Sequence, residues 1–297
     1  MFKHFFPEDL IANAQLCLRL ASEHCSNCSG FHLSSIIRRA TLPSNQRIAD
    51  FAEFNQATSL VLADLIKRKQ SIHIVVGGTT DTCLYVGLLN AAAQVGGKEF
   101  AQSLTVTIVD QCQTPLQICQ NYADLHDLKP TIVQSDFLKM DLVVHADLVL
   151  LHGVLSFFPA EKRHEYLRHI SGWLSPDGVL LSSTQLGQKR GNEESNKRIT
   201  HGLSNLRKLM TENAMHDEEQ RDILEQQLTA GVLARNRHEE LFANEDEAIS
   251  FYENAGLEVE SFSSIDNSDR TVDGLERRYQ ERGIAKCRVS RGEISEF

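Results

Sequence analysis

The sequence predicts an α/β fold: a mostly parallel seven-stranded sheet with helices on both faces, an N-terminal helical cap, and a helical insertion between strands 5 and 6. Three observations carry this. From about residue 71 to 185, short apolar runs rich in β-branched residues alternate with longer amphipathic stretches, the pattern of parallel strands covered on both faces by crossover helices. The same rhythm resumes after residue 245. The blocks before and between are poor in β-formers and repeat their apolar residues at helical spacing.

Taken in order, Leu10, Ile11, Ala14 and Leu18, then Leu60, Val61 and Leu65, set helices within residues 1–70. A polar turn (22–30) and a break at Leu42-Pro43-Ser44-Asn45 separate them. Strands follow at 72–76, 104–109, 131–133, 146–151 and 178–183, with helices to about 95, from 115 to about 126, and near 160–174. Residues 186–245 are polar, and Leu203, Leu206, Leu209, Met210, Ile223, Leu224 and Leu228 fit amphipathic helices. A helix over 245–255 stops at Gly256, and the last strands fall at 257–262 and 283–289. The expected organisation is therefore a cap or lid (1–70), a core (71–185), an inserted lid that offers acceptor or dimer contacts (186–245), and the end of the core (246–297).

Composition narrows the function. A chain of 297 residues, 41% hydrophobic, can bury a real core. A formal net charge of −10 argues against nonspecific nucleic-acid binding, which depends on Lys and Arg neutralising phosphates. The N-terminus shows no signal-peptide core, and no run approaches the roughly 18 apolar residues of a membrane span. The chain reads as cytoplasmic, with no membrane partner, and its seven cysteines as reduced thiols. The helical zones offer a surface for a homodimer.

Candidate site residues collect after the strands, where open α/β sheets bind ligands. After the first, Gly77-Gly78-Thr79-Thr80-Asp81-Thr82 lets the backbone approach a ligand and leads into a helix N-terminus that suits an anion. A plain turn has the same composition. Asp110, ending the second strand and followed by Gln111, suits two ribose hydroxyls or a helix cap at Thr114-Pro115. Asp136 suits an adenine amino group and Phe137 an adenine face, or the pair forms an ordinary loop. His152, just past the fourth strand, has the pKa range of a general base, or is structural.

Together these four sites, with the stretch from Asp147 through Ser175-Pro176-Asp177-Gly178-Val179-Leu180-Leu181, resemble the class I S-adenosylmethionine (SAM)-dependent methyltransferases, whose sheet is Rossmann-like. The resemblance implies SAM as cofactor, S-adenosylhomocysteine (SAH) as product and methyl transfer to oxygen or nitrogen of a small-molecule acceptor. It implies cofactor contacts from Gly77, Gly78, Thr79, Thr82, Asp110, Gln111, Asp136, Phe137 and His152, with His152 as catalytic base. Tyr85, Phe157 and Asn55 are the expected acceptor contacts. Where the family carries an acid in its first strand and a GxGxG turn, this chain has Ile74, and Val76 and Thr80 replace the outer glycines. The methionine end must therefore be held differently, with Thr79, Thr80, Asp81 and Thr82 at hand.

That departure keeps two other readings open. Attack could fall on the aminocarboxypropyl chain, releasing methylthioadenosine, or the chain could be a nonenzymatic binding protein. A nicotinamide-dependent dehydrogenase fits less well, for want of a G-x-G-x-x-G turn. Phe51 and Phe54, three apart, read as a packing stripe. His24, Cys25, Cys28 and His32 have metal-ligand types, but no distant Cys/His pair is evident to close a zinc site. No metal is expected.

Overall fold

The computed structural model describes residues 5, 14–25, 28–41, 51–140, 145–189, 193–237, 241–266, 271–272, 275–276 and 279–290. Its helices are α1 (Ala14–His24), α2 (Phe31–Thr41), α3 (Ala52–Arg68), α4 (Cys83–Ser103), α5 (Gln113–Leu125), α6 (Ala160–Ser171), α7 (Glu193–Glu212), α8 (Glu218–Arg237) and α9 (Glu245–Asn254). The main sheet contains β1 (His73–Gly77), β2 (Thr105–Asp110), β3 (Thr131–Gln134), β4 (Ala146–His152), β5 (Leu174–Lys189), β6 (Leu257–Asp266) and β7 (Tyr279–Val289). Its order is β3-β2-β1-β4-β5-β7-β6. The first five strands are parallel, and β7 runs antiparallel between β5 and β6. A two-stranded ribbon pairs Thr271–Val272 with Leu275–Glu276. The expected fold class is the observed one.

Period-two alternation assigns the strand residues to two cores. Ile74, Val76, Val106, Ile108, Leu148 and Leu150 point to one face, where α3, α4 and α5 cover them. Val75, Val109, Val149, Leu151 and Leu180 point to the other, against Tyr166, Leu167 and Ile170 of α6 and Tyr252 of α9. A third core joins α1 and α2 to α7 and α8 through Leu18, Leu33, Ile36, Leu206, Leu224 and Leu228, and reaches Cys112 and Ile118. The two helical segments, far apart in sequence, thus pack as one unit. By contrast α3 packs on α4 within the sheet core, so the expected boundary at residue 70 does not coincide with a packing boundary.

Several elements differ from the sequence reading: β5 runs on to Lys189 and β6 to Asp266, and β7 starts at Tyr279. β5 begins at Leu174, not at 178, because Ser175-Pro176-Asp177-Gly178 forms a bulge within it. The register passes from Ala146↔Leu174 to Leu148↔Val179, and a bulge is where a strand tolerates proline. The helix expected to end near 95 extends to Ser103, with a non-helical residue at Gly97 (φ +87°). Among the described residues, no helix is long and apolar enough to cross a membrane.

Candidate functional site

Register places the site. Gly77 pairs with Val109 on one side and Leu151 on the other. The next residues of three neighbouring strands, Gly78, Asp110 and His152, therefore stand in a row at the C-terminal edge. Here the chain leaves β1 for α4 on one side of the strand-order reversal, the usual ligand crevice of such sheets. Gly78 donates its N–H to the Val109 carbonyl at 3.0 Å and takes φ +66°. The turn and the strand-end acid are thereby fastened together.

Asp110 is buried, and its Oδ1 accepts from the Cys112 N–H at 2.8 Å. His32 Nε2 approaches the same oxygen at 3.6 Å. Both contacts fall on Oδ1. Gln111 is exposed beside it, and its carbonyl accepts from Gln134 Nε2 at 3.2 Å. Asp136 caps a short 3-10 turn, accepting from the Leu138 N–H at 3.1 Å, and remains half-exposed.

The loop after β1 contains a feature the sequence did not show. Asp81 is fully buried, and its Oδ1 accepts from the Cys83 N–H and from Arg39 Nη1, both at 2.7 Å. Arg39 is itself buried on α2 and stacks over Phe51 at 4.7 Å. Thr79 donates to the Asp81 carbonyl at 2.5 Å. Asp81 Oδ2, Thr82 Oγ1 and the Nδ2 of Asn55 are buried with no hydrogen-bond partner among the described residues. Asn55 lies against Gly87, one turn into α4. Buried polar atoms are rarely left unsatisfied, and a polar ligand reaching this helix start would give these three a partner. The residues present fit the polar, zwitterionic end of SAM as well as its ribose.

His152 sits between Phe51 (ring centroids 4.4 Å) and Phe54 (5.3 Å). Its Nε2 accepts from Arg282 Nη1 at 2.8 Å, from a strand 130 residues further on. Phe157 is exposed on a 3-10 turn, edge-on to Phe31 at 4.3 Å, at the rim of the site.

Two expectations are corrected. Phe137 does not present a face for adenine: it is buried in the core beneath Gly77, against Tyr166 (5.7 Å) and Trp173 (6.0 Å). Tyr85 is not at the acceptor surface either. The phase of α4 turns it into the sheet core, beside Tyr122 at 6.2 Å. The first strand offers no acid, because Ile74 is fully buried between Val106 and Leu148.

The reading that nothing closes a Cys/His cluster is also corrected. Cys112, at the N-cap of α5, joins Cys25, Cys28 and His32, and the four candidate ligand atoms all lie within 4.8 Å of one another. Hydrogen bonding by the Cys112 and Cys25 thiols, and the nearby His32, hold the Cys28 thiol below its ordinary range.

Residues 87–182 match the family model described as a methyltransferase domain. The matched stretch runs from α4 into β5, the part of the core whose strands end at Asp110 and His152. No curated protein matches the chain in sequence. Among solved structures it is similar to a mitomycin 7-O-methyltransferase (17% identity over 80% of this chain and 56% of that one, TM-score 0.43). It is also similar to a 4+2 cyclase (12%, 80% and 80%, TM-score 0.48). An N-methyltransferase from Bradyrhizobium japonicum, in complex with SAH, is a third (11%, 88% and 98%, TM-score 0.46). The chain thus spans little more than half of the first of these.

Proposed function

We propose that this chain transfers the methyl group of SAM to an oxygen or nitrogen atom of a small-molecule acceptor. The observation that carries the proposal is the row Gly78, Asp110 and His152, fixed by the pairing of Gly77 with Val109 and Leu151. Asp110 would take the ribose hydroxyls, with Gln111 and Asp136 beside the adenine. Gly78, Thr79 and Thr82 would line the methionine end. Arg39 and Asp81 have the charges to meet its carboxylate and its ammonium in place of the missing strand acid.

When bound, SAM supplies a methyl carbon made electrophilic by its sulfonium. The chain's own contribution is alignment and water exclusion, together worth about 7–11 kcal/mol of the barrier in well-oriented systems. The cap would take part in this through α2, which carries both His32, near Asp110, and Arg39, on Asp81. His152 would remove the acceptor's proton where there is one. Arg282 now occupies its Nε2, so proton uptake at that atom requires the guanidinium to move aside. Phe157 and Asn55 are the proposed acceptor contacts, at the rim and beside α4. A cytoplasmic location and a homodimer through the helical unit complete the proposal.

The Arg39–Asp81 pair also favours a second reading. A cofactor whose amino-acid end is held by these groups can present its aminocarboxypropyl chain to a nucleophile instead. Product analysis separates the two. The protein is incubated with SAM and a panel of small phenols, carboxylates and amines, and the products are followed by mass spectrometry. Release of SAH with an acceptor heavier by one CH2 is expected. Methylthioadenosine in place of SAH would establish the second reading, and cofactor binding without turnover of any acceptor would point to a binding protein.

A further inference from the structure

We infer that Cys25, Cys28, His32 and Cys112 form a structural zinc site that clamps the helical cap to the edge of the sheet. Three thiols and one imidazole converge, with every candidate ligand atom within 4.8 Å of the others. Tetrahedral zinc with sulfur ligands at about 2.3 Å sets neighbouring sulfurs roughly 3.8 Å apart, so closing on the ion requires a contraction of about an ångström at most. Cys25, His32 and Cys112 are buried and Cys28 is half-buried. All four positions are filled by protein, which is the closed arrangement of a structural rather than a catalytic zinc.

The backbone builds the cluster from three elements. Cys25 follows the last residue of α1, its N–H bonded to the Ala21 carbonyl at 2.9 Å. Cys28 opens the turn into α2, where Ser29 (φ +50°) and Gly30 (φ +74°) reverse the chain. His32, one turn after Cys28, presents Nδ1 to the Cys28 sulfur at 3.1 Å. Cys112 arrives from the loop after β2.

The imidazole is oriented as a zinc ligand requires. With Nδ1 toward the sulfurs, Nε2 is left facing Asp110 Oδ1 at 3.6 Å. Zinc-bound histidines commonly direct their second nitrogen to a carboxylate in this way. Cys112, through its N–H, holds that same oxygen at 2.8 Å. The ion would therefore fix α1, α2 and the Asp110 loop as one body. A nucleophilic Cys28–His32–Asp110 relay would use only one of the three sulfurs, whereas a metal uses all of them. Three thiolates and a neutral imidazole around the dication leave one net negative charge, with the thiol protons released on binding. The inference does not depend on which reaction the neighbouring site performs.

The full-length chain, purified under reductant without added metal and without a metal-binding tag, is tested for zinc by elemental analysis. One zinc per chain is expected. Cobalt exchanged into the site should give the sulfur-to-cobalt charge-transfer bands and intense d–d absorption of a tetrahedral thiolate site. Stripping the metal should lower Tm by roughly 10 °C, and zinc should restore it. Cys112→Ser should lose the stoichiometric metal while keeping the far-ultraviolet circular dichroism of the wild type. Cys287→Ala, in β7 away from the cluster, should keep the metal. The inference is overturned if the folded, reduced wild type takes up no stoichiometric zinc, or if Cys112→Ser retains both zinc and the cobalt spectrum. Alkylation of Cys28 at one rate with and without zinc, or a Cys25–Cys28 disulfide in protein purified aerobically with zinc present, would overturn it equally.

Discussion

Arg39 of the cap donates to Asp81 Oδ1 at 2.7 Å, joining α2 to the loop that follows β1. The two side chains are 6% and 0% exposed. In such a dry setting, breaking a pair costs more than the pair contributes, because a charge is left behind without its partner. Arg39→Met should destabilise the chain by about 3–5 kcal/mol in urea unfolding. The double variant Arg39→Met, Asp81→Leu should recover much of that loss and still fail to bind the cofactor.

Gly78 and Gly153 both have positive φ, at +66° and +71°, but their surroundings differ. A Cβ on Gly78 would come within 2.6 Å of Val154 Cγ2, whereas one on Gly153 would meet nothing within 4 Å. Gly153→Ala should therefore cost only the left-handed conformation, about 1 kcal/mol. Gly78→Ala should cost more, about 2–3 kcal/mol, by adding a displacement of Val154. Denaturant midpoints of the two variants measure the difference.

Phe137 tests the division between core and site. Buried against Tyr166 and Trp173, it should behave as packing. Phe137→Leu should lower stability by about 1–2 kcal/mol and change SAH affinity by less than threefold. A large loss of affinity at near-native stability would return Phe137 to the adenine site.

At the opposite edge of the sheet, Asp147 accepts from Lys69, from Ser175 Oγ at 3.1 Å and from the His73 N–H at 2.9 Å. Burial pushes its pKa up, but the Lys69 ammonium and the His73 N–H outweigh this and hold it below the ordinary 3.8. A carboxylate with a depressed pKa contributes stability that is fully present above its unfolded value and is lost as pH falls through its folded value. Asp147→Asn should therefore be about 2 kcal/mol less stable than the wild type at pH 7. The gap should close as pH falls below about 4. Urea unfolding at a series of pH values reads the trend.

The sheet was legible because strand and helix periods differ, and apolar alternation records which faces are covered. Asp110 and His152 were legible as strand-end residues because a strand's last residue lies at the edge wherever the strand does. Side-chain direction was not. Tyr85 and Phe137 lie beside the right loops, but helix phase and the packing beneath Gly77 turn them inward. Partners distant in sequence were also hidden. Arg39 and Asp81 are 42 residues apart, and His152 and Arg282 are 130. Cys112, two residues after a recognised site acid, joins Cys25 and Cys28 only once the cap folds over the sheet. Nothing local in the sequence marks these pairings.

Calorimetric titration reads the strand-end row as a SAM site. Wild-type protein titrated with SAM and with SAH should bind one equivalent of each in the micromolar range. Asp110→Ala, verified as folded, should lose at least about tenfold in affinity, the equivalent of one charged hydrogen bond. Folded wild type that binds neither compound, or an Asp110→Ala variant that binds both as well as the wild type, would contradict the account.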